Sequence, residues 1–223
     1  MNSSIESTIT QIVASYNDVG GKKLLKKTLK ELGIDRRIFL YYSNHRHIPI
    51  CALPRFRIIL TSKQGFVSFC YNFYTFIDSP INSISISPSN IKSIAKFVVS
   101  HEAGHILDPD IYNTRAEYSA LLSKFIDKLI EYNIDVSIND FHKGNLPLDL
   151  EECALDLKRN LIDRESKAWD IARSFLVFDS KKEELIFEKI REYALATYNF
   201  GTIKNIVKEH NIDVFFKYKR HFA

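Results

Sequence analysis

The sequence lacks the features that mark secreted, membrane-spanning and repeat proteins. It holds only three cysteines among 223 residues, Cys51, Cys70 and Cys153, and their odd number and wide spacing do not suit a disulfide framework. No apolar run reaches the length of a signal-peptide core or a membrane span, and no internal repeat is visible. We therefore expect reduced thiols, no membrane segment and a cytoplasmic location.

The excess of positive over negative residues is also small, because the net charge is only +4. This mild excess does not by itself indicate nucleic-acid binding. The most basic run, "KKLLKKTLK" from Lys22 to Lys30, predicts an amphipathic helix with leucines inward and solvated lysines outward. A nucleic-acid surface on this helix is the less favoured alternative, so nucleic acid is not an expected partner. The oligomeric state is left open.

With 45% hydrophobic residues, the chain can bury the core of one domain or of one domain with a small appendage. Residues 3–32 predict two short helices separated at Gly20 and Gly21. Residues 36–87 predict a small antiparallel sheet, because four segments there are short and rich in β-branched and aromatic residues. Those segments are "RRIFLYY", "RFRIILTS", "FVSFCYNF" and "NSISIS".

The remainder of the chain has helical spacing of apolar residues. It predicts helices at about 89–107, 114–132, 148–178, 181–199 and 201–210, interrupted by a surface loop at "NDFHKGNLP". Strands first and helices afterwards indicate an α+β fold, a small antiparallel sheet followed by a mostly helical C-terminal part. We expect an N-terminal helical segment at 1–35 and a main domain at 36–223.

The stretch "FVVSHEAGHILD" carries the most specific chemistry. On a helix, His101 and His105 lie one turn apart on the same face, and Glu102 projects about 100° away from His101. Two imidazoles so placed can share a zinc ion, with room for a third protein ligand and a water. Glu102 is then positioned to act as the general base toward that water.

The surroundings of the motif favour a metal over a merely polar helix face. Phe97, Val99 and Ile106 flank it, and buried polar groups among aliphatic side chains need a partner. Gly104 lies in the middle of the helix, where glycine costs about 1 kcal/mol relative to alanine. A neighbouring element is therefore expected to approach the helix closely at Gly104. A metal-free helix face hydrogen-bonded to loops remains the alternative.

The third ligand is not fixed by the motif itself. The metzincin continuation requires glycine at 108 and histidine or aspartate at 111, whereas this chain has Asp108 and Ile111. A glutamate on a later helix is then needed. Glu165 is favoured because it falls within an apolar stripe, where an acid needs a counter-charge. The alternatives left open are Glu152, which has Asp156 four residues later, Glu117 and Glu131.

"HEAGH" followed by "ESKAWDIA" resembles the gluzincin-type zinc metallopeptidases, in particular the small ImmA/IrrE-like proteins of bacteria, phages and mobile elements. The resemblance implies a zincin-like domain with Zn²⁺ bound by His101, His105 and Glu165 and with Glu102 as base. It also implies that an edge strand at "SISIS", residues 83–87, holds an extended polypeptide. Thermolysin-like gluzincins carry an aspartate four residues after the ligand glutamate, and this chain has Trp169 there.

Other parts of the chain have no counterpart in that family. These are the N-terminal helix pair, the predicted helix at 114–132 and the long helical C-terminus. A peptidase of this type usually also supplies a donor to the oxyanion. Tyr193 is the favoured candidate, and Tyr198, His142 and Tyr112 are alternatives.

The expected function is therefore that of an intracellular zinc-dependent endopeptidase acting on a polypeptide substrate. The alternative is a catalytically silent module of the same fold that recognises a protein partner.

Overall fold

The computed structural model describes residues 2–34, 37–44, 47–77, 84–138, 146–199 and 206–207. Within these ranges the chain is α+β, as predicted, with a three-stranded sheet and seven long α-helices. The elements are α1 Asn2–Asp18, α2 Lys22–Glu31, β1 Phe39–Ser43, β2 Cys51–Leu53, β3 Ile58–Ser62, α3 Lys63–Phe76, α4 Pro88–Leu107, α5 Ile111–Glu131, α6 Leu148–Phe175 and α7 Lys181–Asn199.

The sheet is mixed, so the prediction of a purely antiparallel sheet is wrong. Its strand order is β1-β3-β2, with β1 parallel to β3 and β2 antiparallel to β3. Residues 54–57 turn the chain directly from β2 into β3, which gives the antiparallel pair. The sequence did not indicate β2 as a strand because it has only three residues, none of them β-branched.

The segment "FVSFCYNF" is helical, and its assignment as a strand is wrong. It lies in α3, where the Ser62 side chain accepts a hydrogen bond from the Gly65 backbone N–H and caps the helix. Phe66, Cys70 and Phe73 are fully buried, at the i, i+4, i+7 spacing of one helix face. The aromatic content therefore misled the strand prediction, although the helical period was present in the same residues.

The predicted strand "NSISIS" is also wrong over residues 84–87, the part of it that the structure describes. The carbonyl of Ser85 accepts a hydrogen bond from the Asn90 side-chain amide at 2.7 Å and one from the Tyr74 hydroxyl at 3.3 Å. Ser87 caps α4 by accepting from the Asn90 backbone N–H. Polar groups of this segment thus form hydrogen bonds with side chains and with the first turn of α4, and not with a neighbouring strand.

The helix predictions are confirmed where the structure describes them. The break between α1 and α2 falls at the two glycines, and α4, α5, α6 and α7 agree with the predicted helices within about three residues at each end. Of the helix predicted at 201–210, residues 206–207 are described and helical, while the loop at 139–145 lies outside the described residues. None of the described helices is both long and apolar enough to cross a membrane.

The chain divides into two compact units, and each has its own core. The first unit comprises residues 1–111 and 165–194 and contains the sheet, α1 to α4 and the C-terminal part of α6. Phe97, Trp169 and Phe187 form an aromatic cluster in its core, each at most 1% exposed. The second unit comprises residues 112–164 and 195–223, with Phe125 and Leu157 among its buried residues. The domain boundary near residue 35 stays a prediction.

Candidate metal centre

Helix α4 carries the HEAGH sequence in its last two turns, on a part of the helix that is almost wholly buried. His101 is 7% exposed and Glu102 is 8% exposed. The one-turn spacing places the rings of His101 and His105 with their centroids 4.6 Å apart. Both imidazoles therefore lie on the same helix face, as the sequence predicts.

Gly104 allows α6 to approach this part of α4. A methyl group built on Gly104 would lie 2.1 Å from the backbone oxygen of Ala168 and 2.9 Å from its carbonyl carbon. No side chain fits there, because the obstacle is the backbone of α6 itself. The close approach expected at Gly104 is thus confirmed, and it places Glu165, one turn before Ala168, beside the histidines.

The three predicted ligands come together at one point. Oε2 of Glu165 lies 3.2 Å from Nε2 of His101 and 3.2 Å from Nε2 of His105. The three donor atoms lie within 4.8 Å of one another, and no other group of three His, Cys, Asp or Glu side chains among the described residues is arranged this way. The helical phase that favoured Glu165 agrees with this arrangement.

The donor set fits a tetrahedral zinc ion. With bonds of about 2.0–2.1 Å to nitrogen and oxygen, two ligand atoms on a tetrahedral zinc are separated by about 3.3 Å. The observed separation of 3.2 Å between the Glu165 oxygen and each histidine nitrogen is close to that value. Two imidazoles and one carboxylate would supply three ligands and leave a fourth position for water.

Glu165 is held in its ionised form although it is buried at 6% exposure. Burial by itself would raise the pKa of this carboxyl group, but the hydrogen bonds from His101 and His105 outweigh burial and place the pKa well below its usual range. A buried carboxylate of this kind is a ligand for a cation without prior loss of a proton.

Glu102 lies next to the three-residue group without belonging to it. Burial raises the pKa of its carboxyl group; the neighbouring Glu165 acts in the same direction, while His101, His105 and a hydrogen bond from the Ala52 backbone N–H oppose the rise. Ala52 is the middle residue of β2, which pairs with β3 on one side. The carboxyl group therefore faces the edge of β2 that has no strand partner in the described part of the chain.

Trp169 of α6 is a neighbour of the three-residue group, although the sequence predicts no role for it. Its indole stacks on the His101 ring, with centroids 4.2 Å apart and planes at 17°. Nδ1 of His101 has no hydrogen-bond partner among the described residues. Trp169, four residues after Glu165 on α6, thus supplies a ring contact to His101.

A salt bridge links the end of α4 to α6. Nζ of Lys167 lies 2.8 Å from Oδ1 of Asp108 and 2.7 Å from Oδ2 of Asp110. The Asp108 side chain is only 1% exposed, so Lys167 supplies its counter-charge. Lys167 lies two residues after Glu165 in α6, so its salt bridge to Asp108 holds the segment that carries Glu165 against the end of α4.

The alternative ligands are found at the surface. Glu152, Glu117 and Glu131 are all exposed, which is the usual state of a helix glutamate. Among the candidate oxyanion donors, Tyr193 packs its ring against Phe69, Phe73 and Phe76 of α3 and is hydrogen-bonded to Asn72. Tyr112 is 59% exposed, Tyr198 lies in α7 and His142 is outside the described residues. The oxyanion donor stays a prediction.

Comparisons of the chain with protein-family models, with curated proteins and with solved structures return no match.

Proposed function

We propose that this protein is a zinc-dependent endopeptidase, with Zn²⁺ held by His101, His105 and Glu165 and with Glu102 as the general base. The observation that carries the proposal is the convergence of three ligand atoms, with both histidine nitrogens 3.2 Å from one buried carboxylate oxygen. When bound, zinc lowers the pKa of a water molecule and polarises the substrate carbonyl group.

The role of Glu102 follows from its place beside the three ligands. Its carboxylate accepts a proton from the attacking water and passes that proton to the nitrogen of the leaving amine. Burial raises the pKa of the Glu102 carboxyl group, which makes its carboxylate a stronger base toward the water. The surrounding apolar residues of α4, including Val98 and Ala103, limit the access of bulk water.

The substrate strand is assigned to the edge of β2 in place of residues 83–87. β2 pairs with β3 on one side and has no strand partner on its other edge among the described residues, so an extended polypeptide can pair there in place of the hydrogen bond between Ala52 and Glu102. The hydrogen bond from Ala52 to Glu102 supports this assignment, because it joins the edge of β2 to the residue proposed as base. A peptide laid along Cys51–Leu53 would bring its carbonyl group close to the base.

The same hydrogen bond favours a second candidate function, a binding module that does not cleave. The Glu102 carboxyl group is engaged by the Ala52 N–H, and a partner strand on β2 can be held without hydrolysis. The two functions differ only in whether the bound polypeptide is cut.

The test is to incubate the zinc-loaded chain with a proteome-derived peptide library and to identify new termini by mass spectrometry. The proposal expects cleavage by the wild-type protein and none by Glu102→Gln with unchanged zinc content. Glu117→Gln, an exposed helix glutamate, is the matched control and should cleave normally. Captured but intact peptides would favour the binding module, and cleavage retained by Glu102→Gln would contradict Glu102 as base.

A further inference from the structure

Exposed aromatic side chains stand on the face of the sheet that points away from the core. Phe39 is 66% exposed and Tyr41 is 58% exposed, although both belong to β1. They pair with Ile58 and Leu60 of β3 in the parallel register, so the four side chains share one face of the sheet. Ile59, on the opposite face, is fully buried. We call Phe39, Tyr41, Ile58 and Leu60 the outer sheet face.

A third exposed ring and three arginines lie in or beside the segments that carry this face. Phe56, 63% exposed, precedes β3 by two residues. Nε of Arg57 donates to the Arg37 backbone oxygen at 2.8 Å, and the Phe39 backbone N–H donates to the Arg57 carbonyl at 2.9 Å. Arg57 is thereby fixed at the start of β1, next to Phe39. Arg37, Arg55 and Arg57 are exposed, and none of them pairs with a carboxylate in the described part of the chain.

The N-terminal third of the chain, which includes the sheet, has a larger excess of basic over acidic residues than the whole chain has. Residues 1–77 contain eleven Lys or Arg against four Asp or Glu, whereas residues 78–223 contain twenty against twenty-three. Residues 36–77, which include the whole sheet, hold no Asp or Glu at all. Their basic residues are Arg36, Arg37, Arg46, Arg55, Arg57 and Lys63. Residues 36–77 are therefore strongly basic, although the net charge of the whole chain is only +4.

We infer that the outer sheet face binds single-stranded nucleic acid. Exposed rings on a sheet offer stacking surfaces for bases, and adjacent arginines neutralise phosphates and stack on bases. Two residues along a strand separate Phe39 from Tyr41 by about 6.7 Å. That is about twice the 3.4 Å step between bases of one duplex strand, so the rings match bases that are splayed apart and not bases stacked in a duplex.

This inference concerns a surface other than the metal site, and it stands whether or not the proposed peptidase activity does. Phe39, Tyr41 and Arg55 are exposed, so their replacement should leave the fold and the zinc content unchanged. Tyr112, exposed at 59% on α5, and Arg159, with a side chain 71% exposed on α6, provide matched controls outside the basic segment.

The experiment measures fluorescence anisotropy of labelled oligo(dT) and oligo(rU) and of a labelled DNA duplex with increasing amounts of the full chain at several salt concentrations. The expected result is tighter binding of the single strands than of the duplex. The double variant Phe39→Ala/Tyr41→Ala should bind at least about tenfold more weakly, given the usual stacking contribution per base. Arg55→Glu should weaken binding and reduce its salt dependence, while Tyr112→Ala and Arg159→Glu bind as the wild type does.

Four results would overturn the inference. They are the absence of binding at low salt, equal binding of duplex and single strand, unchanged affinity of the double aromatic variant, and self-association in sedimentation that this variant abolishes. The last result would assign the outer sheet face to a second copy of the chain. Zinc content is measured in parallel on the same variants. Unchanged zinc content together with a failure of nucleic-acid binding would overturn this inference alone and leave the peptidase proposal standing.

Discussion

The indole of Trp169 lies flat against the imidazole of His101, with ring centroids 4.2 Å apart and an angle of 17° between the planes. Metal-binding histidines are usually oriented by a hydrogen bond from the second ring nitrogen to a carboxylate or carbonyl oxygen. His101 has no such partner for Nδ1 among the described residues. Its ring is oriented by stacking, and Trp169 is in turn fixed edge-on against Phe187 at 5.4 Å.

Replacement of Trp169 by alanine should weaken zinc binding by about tenfold or more, which is the usual effect of losing a group that orients a metal ligand. Trp169→Phe retains a ring and should lose much less affinity. Zinc affinity measured by competition with a chromogenic chelator tests this, with the circular dichroism spectrum as a check on folding. Equal affinity of the alanine variant and the wild type would show that stacking does not position His101.

The same contact makes the fluorescence of Trp169 a reporter of the proposed metal site, because Trp169 is the only tryptophan in the chain. Co²⁺, which commonly replaces Zn²⁺ at such sites, should quench the indole emission when it binds beside His101. Stoichiometric Co²⁺ should therefore quench the wild type and leave His101→Ala unquenched. Quenching of equal depth and affinity in His101→Ala would place the bound ion elsewhere.

Gly104→Ala should destabilise the protein and reduce its zinc content. The added methyl group meets the Ala168 backbone oxygen at 2.1 Å, so α4 and α6 must move apart. We expect a loss of about 1–3 kcal/mol in the free energy of unfolding, even though alanine favours a helix more than glycine does. Urea denaturation followed by circular dichroism gives the value. Lys92→Ala, at an exposed position of the same helix, is the control and should change stability little.

Lys167→Met should leave the buried Asp108 carboxylate without its counter-charge. The Asp108 side chain is 1% exposed and its Oδ2 has no hydrogen-bond partner among the described residues. Loss of the Lys167 ammonium group should therefore lower the free energy of unfolding by about 1–3 kcal/mol. The added replacement Asp108→Asn should recover part of that loss in a double-mutant cycle, because it removes the unpaired charge. Purely additive effects would contradict the pairing.

The spacing of residues within single helices predicts the helices well, and it also predicts that His101, His105 and Glu165 come together. The i, i+4 spacing of the histidines, the position of Glu165 in an apolar stripe and the mid-helix glycine each depend on one helix or one contact between two helices. The sheet was predicted less well. The order β1-β3-β2 depends on which strands meet through tertiary packing, and the helix at 63–76 depends on a serine cap and on burial of Phe66.

One feature of the site cannot be read from any local pattern, because the contact between Ala52 and Glu102 joins residues 50 positions apart through tertiary packing. The place of Trp169, in contrast, has a local signal in the sequence. Trp169 lies four residues after Glu165 and therefore on the same helix face, so a position close to the predicted ligands can be expected for it.

The most direct measurement is the zinc content per chain, by inductively coupled plasma mass spectrometry, of the wild type, Glu165→Gln and Glu152→Gln after exhaustive dialysis. If His101, His105 and Glu165 hold the ion, the wild type and Glu152→Gln retain close to one zinc per chain, and Glu165→Gln retains little. Stoichiometric zinc in Glu165→Gln, or none in the wild type after reconstitution, would contradict the metal centre on which the proposed function depends.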